Sequence, residues 1–431
     1  MSLSWASIVR LGLVQMALGA IIVLTTSTLN RLMVVELALP AVIPGALVAL
    51  HYGIQISRPS WGYRSDVGSR RTPWIVGGIG VLAIGALLAS AAIPLFNQSF
   101  AAGLTLSILA YALVGLGVGA GGTSLLAMLA SATDPRRRAA AATITWLMMI
   151  FGIAVTAGVA GSFLDPYTHA QLLRVVGVVT SGAFLLTCGA VWGIESRMAP
   201  PKPEASPPPL LEGLREIWAE RQARNFTLFV FLSMTAYFMQ ELILEPYAGF
   251  VFGLTPGQTT SLSGAQNGGV FLGMVVVGLC ASWLKLGTLQ FWVILGCLGS
   301  AAALALLASL GQTGPGAPIV AAVIGMGFFN GMFAVAAIAS MMALAGQGRA
   351  RREGARMGLW GAAQAIAAGF GGLAGAAAVD SMRLVLDDVA AAFGIVFLVE
   401  AGLFVASAIM AAKIMSQPAA DPVPAQLVPG E

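Results

Sequence analysis

The chain has 431 residues, of which 58% are hydrophobic and only 9% are charged. A chain this long with so few charges is not a soluble globular domain, and a spanning helix needs only about 20 apolar residues. The composition therefore predicts a polytopic membrane protein, and the net charge of +4 indicates topology rather than a nucleic-acid-binding surface.

Twelve apolar runs predict an all-α polytopic membrane protein whose transmembrane helices form two six-helix, pseudo-symmetric halves. The first half has spans near residues 8–29, 38–57, 73–93, 101–128, 139–163 and 174–194. The second half has spans near residues 226–247, 261–283, 289–309, 318–345, 358–379 and 389–412. These runs divide the chain into an N-terminal half (1–194), a linker (195–225), a C-terminal half (226–412) and a cytoplasmic tail (413–431) that we predict to be disordered.

The hydrophilic break between the second and third spans sets the orientation of the chain. It places four arginines and one aspartate beside the apolar runs: Arg58, Arg64, Arg70, Arg71 and Asp66. Loops rich in Lys and Arg stay on the cytoplasmic side. With both termini in the cytoplasm, 19 of the 22 Lys and Arg residues lie on that side. We therefore expect both termini to be cytoplasmic.

A long polar segment separates the two halves. Residues 200–209 (PPKPEASPPP) predict a linker, because so many prolines prevent a helix or a strand. Residues 210–224 predict an amphipathic helix that lies on the cytoplasmic membrane surface. A role in docking a partner protein stays open as an alternative to a simple connector.

Two glycine-rich segments indicate that the halves are weak repeats of each other. Gly117 and Gly121 lie in the fourth span, and Gly327 and Gly331 lie in the tenth. The segment around Gly117 superficially resembles a dinucleotide fingerprint, but no strand precedes it. Small residues at this spacing let helices pack closely, and we predict that role for both segments.

Polar side chains inside the membrane are the candidate functional residues, because a charge at the bilayer centre costs about 2.5–3.5 kcal/mol. The candidates are Asn30, Arg31, Glu36, His51, Gln55, Glu241, Glu245 and Asn267. Glu36 and Glu245 occupy matching places at the outer ends of the first and seventh spans. We predict that Arg31 pairs with one of them, and the two carboxylates then act as a lateral gate, bind a ligand, or simply reach interfacial water.

His51 lies in the apolar part of the second span, one turn before Gln55. A neutral imidazole there can bind a metal centre, such as the magnesium of a chlorophyll, or form a hydrogen bond with a neighbouring helix. The residue type alone favours the structural role.

No residue pattern indicates catalysis. Cys188, Cys280 and Cys297 lie in apolar runs without metal-binding spacing, and no nucleophile lies near a base. We therefore predict that the protein is not an enzyme.

Three stretches resemble the PucC/LhaA family of photosynthetic bacteria, the bacteriochlorophyll-delivery branch of the major facilitator superfamily. They are residues 26–41 (TSTLNRLMVVELALPA), 51–75 (HYGIQISRPSWGYRSDVGSRRTPWI) and 241–260 (ELILEPYAGFVFGLTPGQTT). The matching cytoplasmic loop motif comprises Arg58, Pro59, Gly62, Asp66, Arg70 and Arg71. Val67 replaces the arginine that other facilitators have after this aspartate.

The resemblance implies a protein of the bacterial inner (intracytoplasmic) membrane that assembles light-harvesting complexes. Such a protein binds bacteriochlorophyll and hands it to nascent antenna polypeptides, with bacteriochlorophyll synthase as a candidate donor. It also raises the weight of His51 as a ligand of the pigment magnesium to that of the structural role.

Two alternatives stay open. The first is a proton-coupled secondary transporter of a small or amphipathic solute, in which Glu241 or Glu400 takes up the proton. The second is a pigment-free scaffold for antenna assembly.

Overall fold

The computed structural model describes residues 3–58, 61, 70–134, 137–197, 218–314, 316–346 and 353–415, and all regular secondary structure in these ranges is helical. Pro59, Gly62 and Asp66 of the predicted loop motif lie outside the described residues, as do most of the predicted linker helix and residues 416–431 of the tail. Residues 221–224, predicted as part of the linker helix, form the first turn of a transmembrane helix.

The N-terminal half consists of six helices. They are α1 (Trp5–Glu36), α2 (Val42–Ile54), α3 (Thr72–Phe96), α4 (Phe100–Ala132), α5 (Arg138–Leu164) and α6 (His169–Val191). A short 3₁₀ turn extends α2 to Ser57. Two stretches of α1 are π-helical: Leu24–Thr28 and Leu32–Glu36.

The C-terminal half also consists of six helices. They are α7 (Arg221–Phe252), α8 (Pro256–Val277), α9 (Leu289–Leu310), α10 (Ile319–Gly346), α11 (Glu353–Val385) and α12 (Val389–Met415). In the described part of the chain, eleven helices are long and apolar enough to cross a membrane, and α2 is the shorter twelfth. The predicted all-α fold with twelve helices is confirmed.

Each half has its own buried apolar core. A tyrosine hydroxyl inside each core donates to a backbone carbonyl of the same half. Tyr111 donates to the carbonyl of Thr25 at 2.7 Å, and Tyr247 donates to that of Leu307 at 2.6 Å. Burying apolar side chains mainly within each half stabilises two bodies, which meet through apolar contacts such as Phe151 with Phe271 as well as through polar and small residues.

The glycine-rich segments pack as predicted. A Cβ atom at Gly117 of α4 would meet the backbone nitrogen of Leu82 in α3 at 2.5 Å, so no larger residue fits. In the other half, Gly331 of α10 lies directly against the backbone of Val270 in α8. Both segments bring helix backbones into contact, which is the role of small residues in membrane helices.

The two halves meet where α5 crosses α8 and where α2 crosses α11. These crossings are equivalent by the pseudo-symmetry of the fold, because α8 corresponds to α2 and α11 to α5. We call the end of the bundle that holds Glu36, Asp165 and Thr255 the outer end. The opposite end, which holds Ser57 and Thr72, is the inner end and is the one predicted to face the cytoplasm.

Candidate functional site

The outer part of α1 carries three of the eight predicted polar candidates, and its π-helical turns determine the directions in which their side chains point. In an α-helix, residues five apart point in different directions, whereas π-helical hydrogen bonds join residues five apart. Arg31 and Glu36 are five apart across the second π-helical stretch, and their side chains form an ion pair at 2.5 Å. The predicted pairing of Arg31 with an acid thus occurs within α1, and π-helical turns are frequent at functional sites.

Arg31 also joins the two halves. Its side chain is only 3% exposed, and Nη2 donates to the carbonyl of Leu254, after α7, at 2.8 Å. Gly249 of α7 leaves room for the guanidinium, because a Cβ atom there would meet Nη2 at 3.3 Å. One arginine therefore neutralises Glu36 and holds the outer end of the C-terminal half.

Hydroxyl groups link α1 to α8 beside this arginine. Ser27 Oγ lies 2.9 Å from Ser263 Oγ, and Thr28 Oγ1 lies 3.1 Å from Thr260 Oγ1. All four residues are buried. These hydrogen bonds run between the two halves, so they close the outer end of the interface.

Asn30 makes a third link, to a carbonyl that a proline leaves free. Pro246 lies inside α7 and has no amide hydrogen to donate to Leu242, four residues earlier. Asn30 Nδ2 donates to this Leu242 carbonyl at 2.7 Å. A side chain of one half thus completes the backbone hydrogen bonding of the other.

Glu245 lies between these links and is only 1% exposed. The hydroxyl groups of Ser27, Thr259 and Ser263 surround its carboxylate, and the Arg31 guanidinium lies nearby. None of these groups reaches hydrogen-bond geometry, and both carboxylate oxygens are without a partner among the described residues. The structure therefore brings four predicted candidates together at the outer end: Asn30, Arg31, Glu36 and Glu245.

Two aspartates cap helices across the interface at equivalent positions of the two halves. Asp165, after α5, accepts hydrogen bonds from Thr255 Oγ1 at 2.5 Å and from the amide of Gly257 at 3.2 Å, at the start of α8. Asp380 of α11 accepts from the amides of Ala41 and Val42, at the start of α2, at 3.0 and 2.8 Å. A carboxylate at a helix N-terminus is favourable because it meets unpaired amides and the positive end of the helix dipole.

His51 and Gln55 form a separate group nearer the inner end. Arg58 donates to Gln55 Oε1, so the amide nitrogen of Gln55 faces the imidazole and lies 3.0 Å from its Nε2. Nε2 then accepts, the ring proton is on Nδ1, and Nδ1 has no partner in the described structure. His51 is 1% exposed.

Glu241 lies one turn deeper than Glu245 and connects the two groups. Its carboxylate lies beside the hydroxyl of Thr26 and near Tyr52 and Tyr237. The ring of Tyr52 in turn contacts that of His51, with centroids 4.8 Å apart. Glu241 is half-buried in the interface between the halves.

Of the remaining described candidates, Asn267 and Arg71 make hydrogen bonds within the fold. Asn267 of α8 donates to the Ser263 carbonyl at 3.0 Å. Arg71 donates to the Ala127 carbonyl at 2.8 Å, while Arg70 is exposed. Glu400 of α12 is fully buried near Gln240, and both of its oxygens lack a partner among the described residues.

A groove open to the lipid runs along the seam between the halves, between α5, α8 and α10; we call it the seam groove. Its middle part has a volume of about 460 Å³ and almost wholly apolar walls, which include Phe151, Gly268 and Ile324. An adjoining part of about 390 Å³ reaches the outer end, where Gln258 and Asp165 line it. The groove is therefore apolar at mid-membrane and polar at its outer end, which suits an amphiphile.

Neither the two aspartates, Asp165 and Asp380, nor the seam groove is among the features predicted from the sequence. A signal for the two aspartates exists, because each is an acid at the outer end of the fifth span of its half. The groove has no comparable signal, since its wall residues are ordinary apolar residues of three separate helices.

Comparison with known proteins gives a family. A family model described as PUCC protein matches residues 28–419. A Rhodobacter capsulatus protein named "Bacteriochlorophyll synthase 44.5 kDa chain" is 66% identical over 424 residues, which are 98% of this chain and 99% of the relative. "Protein PucC" of Cereibacter sphaeroides is 33% identical over 419 residues, which are 92% of this chain and 89% of that protein.

Solved structures show the same fold. The nucleoside transporter NupG matches with a TM-score of 0.69 at 12% identity, covering 95% of this chain and 99% of its own. A bacterial homologue of the human drug peptide transporters matches with a TM-score of 0.71 at 13% identity, covering 95% and 98%. At such low identity these matches establish the major facilitator fold and no more.

Proposed function

Because the chain belongs to the PUCC protein family, we propose that it is a membrane assembly factor that binds bacteriochlorophyll and delivers it to nascent light-harvesting polypeptides. A pigment with a long hydrocarbon tail partitions into the lipid, so its carrier needs an entrance from the bilayer. The seam groove supplies such an entrance, and it is the observation that supports this function best.

The groove walls suit a flat apolar ring. The rings of Phe151 of α5 and Phe271 of α8 lie at the groove with centroids 5.8 Å apart and planes tilted by 57°, and they offer aromatic surface to a ring that binds there. Phe151 and Leu272 are about half exposed at the surface, on the lipid side of the bundle. A macrocycle that enters from the bilayer meets these side chains first.

His51 fits a magnesium ligand less well than the sequence implied. In the described arrangement Nε2 accepts from Gln55 and Nδ1 carries the proton, so neither nitrogen offers a free electron pair. Ligation by His51 stays a prediction, and it requires Gln55 to turn away first.

The experiment is the absorption spectrum of full-length protein purified in mild detergent from a bacteriochlorophyll-making host. We expect bound pigment with a red-shifted band. Gly268→Leu fills the groove, because a Cβ atom at Gly268 has nothing within 4 Å, and it should lower the pigment content about tenfold, which corresponds to about 1.4 kcal/mol.

Gly182→Leu is the matched control, because a Cβ atom at this exposed glycine of α6 also meets nothing within 4 Å. It should retain the wild-type pigment content. Pigment loss in His51→Leu with none in Gly268→Leu would move the site from the groove to the centre of the bundle. A colourless wild-type preparation would contradict the proposal and favour the transporter or the scaffold.

The partners of this activity follow from the same proposal. Antenna polypeptides receive the pigment, and bacteriochlorophyll synthase is the proposed donor, which the name of the Rhodobacter capsulatus relative favours. The protein itself then needs no catalytic residues. Both partners should be sought by co-purification in the pigment-bearing preparation.

A further inference from the structure

Glu245 is buried without a hydrogen-bond partner for either carboxylate oxygen among the described residues. Its neighbours are oxygen-bearing: the hydroxyl groups of Ser27, Thr259 and Ser263 lie around it. A polar group that is taken out of water and left unpaired is strongly disfavoured, and a carboxylate more so than a neutral group. A proton or a cation bound among these hydroxyl groups would compensate Glu245.

Arg31 is the nearest positive charge, but its guanidinium is already paired with another carboxylate. Nη1 binds Glu36 and Nη2 donates to the Leu254 carbonyl, while Nε has no partner among the described residues. Arg31 and Glu36 neutralise each other, so an ionised Glu245 leaves one negative charge in the cluster. One additional positive charge balances it.

We propose that Glu245, together with the hydroxyl groups of Ser27, Thr259 and Ser263, binds one small monovalent cation, either a proton or a sodium ion. Carboxylate and hydroxyl oxygens are the ligands that hard cations prefer. The same hydroxyl groups accept a hydrogen bond from a protonated carboxyl group. This site is separate from the seam groove, and it does not depend on pigment binding.

The site exists only while the outer end is closed. Ser27 belongs to the N-terminal half, whereas Glu245, Thr259 and Ser263 belong to the C-terminal half, and the Ser27–Ser263 hydrogen bond of 2.9 Å joins them. Separation of the halves removes Ser27 and exposes Glu245 to water, which stabilises the bare carboxylate. Cation binding and closure of the outer end are therefore linked, each favouring the other.

The elements around this region carry other charged or titratable groups. On α1, the loop after α5 and the first residue of α6 they are Arg31, Glu36, Asp165, Tyr167 and His169; on α7 they are Tyr237, Glu241 and Tyr247; on α2, α11 and α12 they are His51, Tyr52, Asp380, Arg383 and Glu400. Helix α8 contributes none over Pro256–Val277. A pH response alone therefore does not identify Glu245, and variants are needed.

The test measures the distance between spin labels at Gln98, in the loop after α3, and Thr313, in the loop after α9. Both sites are exposed at the outer end, one on each half. The full-length protein, with its three cysteines replaced, is placed in nanodiscs from mildly acidic to mildly alkaline pH, with sodium or potassium as the only alkali cation. We expect a short distance with the cation bound and a longer one when it is removed.

Glu245→Gln should stay closed under all conditions, because a neutral amide needs no cation. A response to pH that is independent of sodium identifies a proton, and a response to sodium at fixed pH identifies sodium. Either supports the site. A wild-type protein that responds to neither, or a Glu245→Gln variant that responds like wild type, overturns it.

Glu400→Gln is the matched control, because Glu400 is an equally buried, unpartnered acid that lies inside the C-terminal half. It should keep the wild-type response, and loss of the response here instead of at Glu245 would also overturn the site. If Glu245→Gln does not accumulate, Thr259→Val removes one hydroxyl without touching the N-terminal half. It should raise the cation concentration at the midpoint about threefold to tenfold, whereas an unchanged midpoint would count against the site.

Discussion

Asn30 shows how one side chain completes the backbone of the opposite half. Its amide donates to the Leu242 carbonyl, which is free because Pro246 has no amide hydrogen. Both residues were visible in the sequence, and Asn30 was a candidate there. The hydrogen bond between Asn30 and the Leu242 carbonyl could not be predicted. A proline four residues after a carbonyl indicates a free hydrogen-bond acceptor, but it does not show which group donates to that acceptor.

We predict that Asn30→Leu destabilises the protein by about 1–3 kcal/mol, because it leaves the buried Leu242 carbonyl without a donor. Adding Pro246→Ala should restore much of this loss, since residue 246 then donates to Leu242 within α7. Thermal unfolding of the detergent-solubilised variants measures both effects. Equal stability of the single and double variants would contradict this account.

The helix α1 illustrates what the sequence predicts of an element and what it leaves out. The apolar run predicted a span near residues 8–29, and the polar residues after it were placed near the outer surface. The structure continues the helix to Glu36 through two π-helical stretches. Hydropathy predicts which residues are buried in lipid, but it does not predict the number of residues per helical turn. The geometry of the Arg31–Glu36 ion pair depends on contacts with α7 and α8, which the hydropathy pattern does not contain.

The cross-interface caps are the elements that we expect to control the outer end. Replacing both aspartates, Asp165→Ala and Asp380→Ala, removes the caps of α8 and α2, and each such loss costs about 0.5–2 kcal/mol. Because each cap bridges the two halves, the loss should appear as opening of the outer end. Spin labels at Gln98 and Thr313 should move apart, with each single variant showing a smaller change.

Thr168→Ala provides the control for these caps. Thr168 caps α6 by accepting from the amide of Gln171, entirely within the N-terminal half. Its loss should lower stability by a similar amount and leave the label distance unchanged. If Thr168→Ala opens the outer end as far as the aspartate variants do, the opening reflects general destabilisation.

At the scale of the whole molecule, the number and order of the helices follow from hydropathy, and the twelve predicted spans correspond to twelve helices. Membrane helices satisfy their own backbone, so length and composition suffice to find them. The seam groove could not be predicted from the sequence, because it arises from the way in which three helices of the two halves diverge. Its walls carry no residue type that would distinguish them from lipid-facing residues elsewhere.

The orientation is a prediction of the whole molecule that rests on the distribution of Lys and Arg. Alkaline phosphatase fused after Gln98 or Thr313 should be active, because those loops are predicted to be periplasmic. Fusions after Lys285 or Lys413 should be inactive, and green fluorescent protein at the same places should fluoresce. The opposite pattern would reverse the two sides of the bundle.

The walls of the seam groove belong to different bodies: α5 is part of one half, and α8 and α10 are part of the other. Any rigid-body rotation of one half relative to the other must therefore widen or narrow the seam groove. Widening of the groove would release a bound molecule sideways into the bilayer rather than across it. A fold shared with transporters can in this way serve as a clamp that loads and unloads within a single plane of the membrane.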